Sequence, residues 1–288
     1  MSLRSQVKKE GEYPITKIPP RREALKIDNH TIILSIYETD YNINLYLGGV
    51  KHWCIHCELT KENNTLKKEG FLIKIRYDML CSVEESIGRG GDITKLLKLL
   101  LQIIHNRYPD VKYLLFNDLS TRRCDNATNV NLAVMTYLYT EKTWYEKNFG
   151  ASISAQSKTP FAAAQQRLTE SKQQPWDVVK STIINYTTLP YSEDALELLY
   201  ENSKTWKEFF GQIEKTIGIK QFCIFISSWL DSFTLKYFNN LMGMTYQMPI
   251  QSQDMDYTAT EWKGGARYKS FFKGARKNRT IKRFIEME

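Results

Sequence analysis

The sequence predicts an α/β fold, and three observations carry that expectation. Residues 31–59 alternate apolar and polar positions in the manner of successive strands, as in TIILSIY, NINLYL and VKHWCIHCEL. Residues 71–116 then read as strand, glycine-rich turn, amphipathic helix and strand, the layout of a βαβ unit. A later stretch, between Trp206 and Ile250, returns to alternating helix and strand patterns.

Taken in order, residues 1–27 carry Lys8, Lys9, Lys17, Arg21, Arg22 and Lys26 among Pro14, Pro19 and Pro20, which predicts an extended basic arm. A turn at Gly48-Gly49 separates the first strands from VKHWCIHCEL. KENNTLKKEG is then expected as a loop before the strand FLIKIRYDMLC. Ile93, Leu96, Leu97, Leu100, Ile103 and Ile104 recur at helical spacing, so a helix follows the glycines, and Tyr108-Pro109-Asp110 stops it. VKYLLF is a buried strand. Residues 152–176, rich in Ser, Ala, Gln and Lys, are expected as a linker or insertion. Beyond them a smaller α/β unit is expected over 177–262. It has a helix carrying Trp206, Phe209, Phe210, Ile213 and Ile217 on one face, a strand FCIFI, a helix WLDSFTLKYFNNLMG and a strand MTYQMPI. Residues 263–288 form a basic tail that holds nine basic residues and no acidic one between Lys263 and Arg283.

The chain has 288 residues, 42% of them hydrophobic and 25% charged, enough to bury a substantial core. No apolar run reaches the roughly 18 to 20 residues that cross a bilayer, and no apolar stretch follows the basic start, so secretion by a standard signal and membrane anchoring are not expected. The five cysteines, Cys54, Cys57, Cys81, Cys124 and Cys223, are odd in number and scattered through core-like segments, which suits a reducing, intracellular compartment better than a disulfide framework. A formal charge of +8 favours acidic partners: nucleic acid, phosphate-bearing ligands or acidic protein surfaces.

The turn Glu85-Ser-Ile-Gly88-Arg89-Gly90-Gly91 at a helix mouth directs several backbone N–H groups at one point. The helix dipole adds positive charge there, an arrangement that suits a pyrophosphate, with Arg89 able to contribute a charge-assisted contact. With these residues the region 28–151 resembles the GNAT (GCN5-related N-acetyltransferase) family, whose acyl-CoA loop is usually Gln or Arg, two residues, Gly, one residue, then Gly or Ala. Gly88 and Gly90 match the small positions, and Glu85 stands where the family has Gln or Arg. NVNLAVMTYLYTEKTWYEKNFGA looks like the family's later helix, in which a tyrosine often protonates the leaving thiolate of CoA. Tyr145 is the matching residue. Asn148-Phe149-Gly150 reverses the usual Gly-Phe order, and about ten extra residues separate Asn129 from Tyr145. The resemblance implies a GNAT-like mixed sheet with flanking helices, Gly88, Arg89, Gly90 and Gly91 as cofactor-binding residues, and acetyl-CoA as cofactor if the chain is an enzyme. A general base would be a carboxylate or histidine near the sheet splay, and Asp118, Glu84 and Glu85 are candidates. Asp118 and the pair Arg122 and Arg123 also read as turn, cap or loop residues.

Asn-, Lys- and Tyr-rich usage and the phrase KTWYEKNFGA also resemble proteins of large nucleocytoplasmic DNA viruses. That resemblance, with the altered loop, implies a non-catalytic virion component, a minor capsid or internal protein in the particle or the host cytoplasm that holds other particle proteins. N-acetyltransfer is the alternative. Nucleic-acid or acidic-partner binding by Lys263, Arg267, Lys269, Lys273, Arg276, Lys277 and Arg279, interleaved with Tyr268, Phe271 and Phe272, is the third. His52, Cys54, His56 and Cys57 pack four possible metal ligands into six residues, but a strand turns Cys57 away from the other three and no second pair follows, so no metal site is expected.

Overall fold

The computed structural model describes residues 19–27, 30–50, 52–76, 92–124, 129–183, 188–238 and 243–262. Their framework is a mixed sheet of nine strands, in the order Thr258–Glu261 (β11), Arg21–Ile27 (β1), His30–Glu38 (β2), Asn42–Gly48 (β3), Trp53–Glu62 (β4), Thr65–Ile75 (β5), Tyr113–Asn117 (β6), Thr245–Pro249 (β10) and Ser152–Ile153 (β9). Strands β1 (Arg21–Ile27), β2 (His30–Glu38), β3 (Asn42–Gly48), β4 (Trp53–Glu62) and β5 (Thr65–Ile75) form a continuous antiparallel run. Helix α1 (Asp92–Arg107) leads to β6 (Tyr113–Asn117), which lies parallel to β5. This is the βαβ unit the periodicity predicts: Leu96, Leu97, Leu100, Ile103 and Ile104 are buried in one core with Leu45, Leu59 and Leu114 of the strands. At the end of α1, Arg107 grips Glu23 of β1 through two hydrogen bonds of 2.9 and 2.7 Å, tying the helix to that strand.

Two expectations of irregular chain give way to strand. Residues 21–27 are not part of an extended arm. They pair with β2 on one side and β11 (Thr258–Glu261) on the other, because Leu25 and Ile27 supply apolar side chains to the core. KENNTLKKEG is not a loop either. Asn63 and Asn64 take left-handed backbone angles (φ 51° and 61°), and Glu62 pairs directly with Thr65, so β4 and β5 form a two-residue hairpin. Asparagine tolerates that conformation, and two such residues match the right-handed twist of the strands they join.

After β6 a short hairpin, β7 (Thr121–Arg123) with β8 (Asn129–Asn131), precedes α2 (Leu132–Thr140) and α3 (Trp144–Phe149). The single later helix implied by the family resemblance is therefore two. Glu141 takes a left-handed conformation (φ 57°) that ends α2, and Thr143 with Glu146 forms a capping box that starts α3. Residues 152–176 are not a linker. They form β9 (Ser152–Ile153), a 3-10 turn (Ala155–Ser157) and α4 (Lys158–Ser171). Their Ala, Gln and Lys favour a helix, and Ala164, Leu168 and Ser171, three to four residues apart, are the stripe it buries.

Next come α5 (Trp176–Lys180), α6 (Glu193–Asn202), α7 (Trp206–Ile226) and α8 (Leu230–Tyr237). FCIFI is not a strand; it is the last turn and a half of α7, which breaks at Gly218 (φ 77°, ψ 157°) and resumes. Its apolar residues face an aromatic cluster, with Trp206 stacked 5.3 Å from Phe210, and Phe210 5.5 Å from Trp229. MTYQMPI does form a strand, β10 (Thr245–Pro249), but it enters the main sheet between β6 and β9. In chain order, the helices from α4 to α8 thus come between β9 and β10, two strands that are neighbours in one sheet.

The expectation that the cysteines form no disulfides is corrected. Cys124, just after β7, is disulfide-bonded to Cys223 of α7 with Cα atoms 5.5 Å apart, and Cys54 is also disulfide-bonded, while Cys57 is free and buried. Residues 99 apart in sequence meet because α2 packs against α7 and carries the hairpin with it, a proximity that spacing along the chain does not encode. Among the described residues no helix is long and apolar enough to cross a membrane.

Candidate functional site

The parallel strands β5 and β6 meet over only three residue pairs, Glu69 with Tyr113, Gly70 with Leu114 and Phe71 with Leu115. Both continue beyond that point, each following its antiparallel neighbour: β5 stays with β4 as far as Ile75, and β6 stays with β10 as far as Asn117. The sheet therefore splays between their C-terminal ends, the end of a parallel pair at which α/β proteins commonly seat ligands. Gly70 pairs with Leu114 at the closed end. A Cβ there would lie 2.7 Å from Leu59 Cδ2 and 2.9 Å from Leu114 Cδ2, so a larger residue would displace those two buried side chains.

Just beyond β6 stands Asp118, only 1% exposed. Its Oδ1 accepts hydrogen bonds from the Ser120 backbone N–H (3.1 Å) and from the Ser120 hydroxyl, while Oδ2 is buried and has no hydrogen-bond partner among the described residues. Burial raises the pKa of this carboxyl above the ordinary aspartate value; the Ser120 bonds oppose the rise and Glu146 adds to it. Tyr145, 6% exposed, sits against Phe116 of β6 with ring centres 4.5 Å apart and against Trp144 at 4.9 Å. Burial, and then the nearby Asp118, drive its phenol pKa far upward. Tyr246 faces Phe116 across the β6–β10 ladder and is 0% exposed; its hydroxyl is buried with no hydrogen-bond partner among the described residues, and burial followed by Asp118 raises its pKa strongly.

The local sequence explains the placement of Tyr145. The capping box sets Thr143 N 2.6 Å from Glu146 Oε2 and Glu146 N 3.3 Å from Thr143 Oγ1, which fixes the start of α3 and turns Tyr145 toward the sheet. Gly150 ends α3 in a left-handed conformation (φ 63°), its N–H bonded to the Glu146 carbonyl at 3.2 Å. The Phe149-Gly150 order thus serves as a helix stop, with glycine at the position that favours positive φ. The extra residues before Tyr145 are α2.

Of the residues singled out from sequence, the structure brings Asp118 and Tyr145 together. Gly88, Arg89, Gly90 and Gly91, with Glu84 and Glu85, lie outside the described residues, as do Lys263, Arg267, Lys269, Lys273, Arg276, Lys277 and Arg279. Arg122 and Arg123 are on β7, with Arg123 exposed. Sequence reasoning missed Tyr246. Its strand is legible, but nothing in the chain says that this strand lies beside β6.

His56 stacks on Tyr46 with ring centres 4.2 Å apart and bonds Asn44 Oδ1 through Nε2 at 2.8 Å, and burial pushes its pKa down to about 4. Cys54 is committed to a disulfide. Among the described residues no group of three or more His, Cys, Asp or Glu side chains converges as a metal site would require. Comparison of the chain with protein-family models, with curated proteins and with solved structures found no match in any of the three.

Proposed function

We propose that this chain is a non-catalytic, partner-binding protein built on an acetyltransferase-like sheet, serving as a minor capsid or internal component in the particle of a large DNA virus. The observation that carries the non-catalytic reading is the closure of the ionisable groups at the open end of β5 and β6. Asp118, Tyr145 and Tyr246 are all buried, and each is shifted toward its neutral form. A base that must take a proton from an amine, and an acid that must reach a departing thiolate, have to touch the reactants. Glu85, in place of the family's Gln or Arg, also works against a pyrophosphate. The viral assignment rests on the likeness of residue usage and of KTWYEKNFGA, and the basic termini supply surfaces for acidic neighbours.

Calorimetry of the full chain with CoA and acetyl-CoA tests the first part: no heat at millimolar ligand is expected, and saturable binding would overturn it. Quantitative mass spectrometry of purified particles tests the second. Stoichiometric recovery is expected, and absence from particles would end the assignment.

An N-acetyltransferase reading has an observation of its own in the splay between β5 and β6, which follows a glycine turn in sequence and has Asp118 and Tyr145 at its end. In that reading the amides near Gly88, Gly90 and Gly91 hold the diphosphate, an amine attacks the thioester directly, and Tyr145 protonates the thiolate. It requires the saturable CoA binding that the first reading excludes.

A further inference from the structure

The Cys124–Cys223 bond closes between segments that meet only through the fold. Cys124 follows β7, and Cys223 lies in the stretch of α7 beyond its break at Gly218. Both are nearly sealed, at 4% and 2% exposed, in one core with Val130 of β8, Val134 of α2 and Phe222 of α7. Next to Cys223 in the chain, Phe222 meets Tyr139 of α2 edge-on, with ring centres 5.4 Å apart.

A disulfide forms by successive thiolate attacks on sulfur, and each attack needs access to the sulfur. Once α2 rests on α7 that access is lost, so the bond is made while the contact is still open. Helix formation and collapse take roughly microseconds, whereas disulfide formation takes on the order of seconds to hours, depending on the oxidant and its catalyst. Without a catalyst the packing wins and seals both thiols. The local sequence also separates the two cysteines. Arg122 and Arg123 precede Cys124, two cations that favour its thiolate and outweigh the one carboxylate, Asp125, that follows it. Around Cys223 the stretch from Gln221 to Phe225 carries no charge.

We propose that this chain is the substrate of an enzyme of the dithiol-oxidase class, which passes a disulfide to it during folding, and that the disulfide enters at Cys124. The Cys124 thiolate attacks one sulfur of the oxidant's disulfide, making a mixed disulfide and releasing the other sulfur as a thiolate. The Cys223 thiolate then attacks Cys124 Sγ, closes the Cys124–Cys223 bond and releases the second oxidant sulfur. Two electrons pass to the oxidant, and the two protons given up by the cysteines end on its dithiol. This maturation step stands apart from the β5–β6 splay and does not depend on the function proposed above.

To test it, the full chain is produced in a reducing cytosol with and without a co-produced dithiol oxidase. Free thiols are alkylated before lysis and the peptides mapped by mass spectrometry. The Cys124–Cys223 bond should be present in most chains with the oxidase and at least about tenfold rarer without it. Equal occupancy in the two, or free thiols in both, overturns the proposal. For the entry residue, reduced and unfolded chain is diluted into oxidised glutathione and quenched with acid. Cys223→Ala should hold several-fold more glutathione on Cys124 than Cys124→Ala holds on Cys223, and equal or reversed loading overturns that assignment. Neither variant has to fold, because these adducts form before packing. In the native chain, dithiothreitol should cut the bond at least about tenfold more slowly than in denaturing urea, as an opening step must first expose the sulfurs. Equal rates would refute the sealing by packing on which the need for a catalyst rests.

Discussion

Replacing both Cys124 and Cys223 with alanine should cost this protein a large part of its stability. The disulfide joins positions 99 apart, and constraining a chain over that separation removes roughly 16 cal/mol/K of entropy from the unfolded ensemble, about 4.7 kcal/mol at 25 °C. Domain stabilities of about 5 to 15 kcal/mol leave little margin for such a loss. Both positions are buried, so the missing sulfur atoms add a small packing loss in the same direction. With a urea dependence of about 3 kcal/mol per molar, the unfolding midpoint should fall by roughly 1.5 M. The double variant is preferable to a reductant because the disulfide of Cys54 stays in place and the effect belongs to one bond. Coincident urea midpoints for variant and parent would refute the reasoning. So would mass spectrometry of the unreduced parent that finds Cys124 and Cys223 as free thiols.

Three further outcomes are expected. Gly70→Val should destabilise the closed end of the β5–β6 pair by about 1 to 3 kcal/mol, since the new side chain meets Leu59 and Leu114, and this is measurable as a lower urea midpoint. Trp206→Phe should cost about 1 to 3 kcal/mol in the same assay, because the indole N–H that donates to the Leu168 carbonyl (3.0 Å) and the Ser171 hydroxyl (2.8 Å) is lost inside the core. The phenols of Tyr145 and Tyr246 are raised in the folded protein, so their contribution to stability is full below the unfolded value of about 10 and declines as pH rises above it. An alkaline absorbance titration should show these two ionising only as the chain unfolds, and ionisation of every tyrosine near pH 10 with the fold intact would contradict this.

The Cys124–Cys223 bond and the Asp118–Tyr145–Tyr246 cluster have a common origin: each joins segments that lie far apart in the chain. Helix α1, the strands β2, β3 and β4, and the strand nature of β10 were legible because a period of 3.6 or 2 in apolar residues is a local property. The glycine turn pointed in the same local way to a βαβ unit, and Tyr145 and Asp118 stood out as chemical candidates one at a time. Helix α4 was hidden by its composition. Its buried stripe of Ala164, Leu168 and Ser171 has one large apolar residue, too weak a signal without the neighbour that Trp206 provides. The second half of α7 was misread because FCIFI, on its own, satisfies a buried strand as well as a buried helix.

By itself, then, the sequence determined the alternating α/β character, most element types in the first half of the chain, and the residue chemistry at the end of β6. Tertiary structure alone decided that β10 lies between β6 and β9, bringing Tyr246 to Asp118, and that Trp206 of α7 packs on the end of α4 at Leu168 and Ser171. The reason is physical. Backbone periodicity is set by neighbours a few residues away, whereas strand order, disulfide pairing and the burial of a charge are set by which surfaces cover one another once the chain has collapsed.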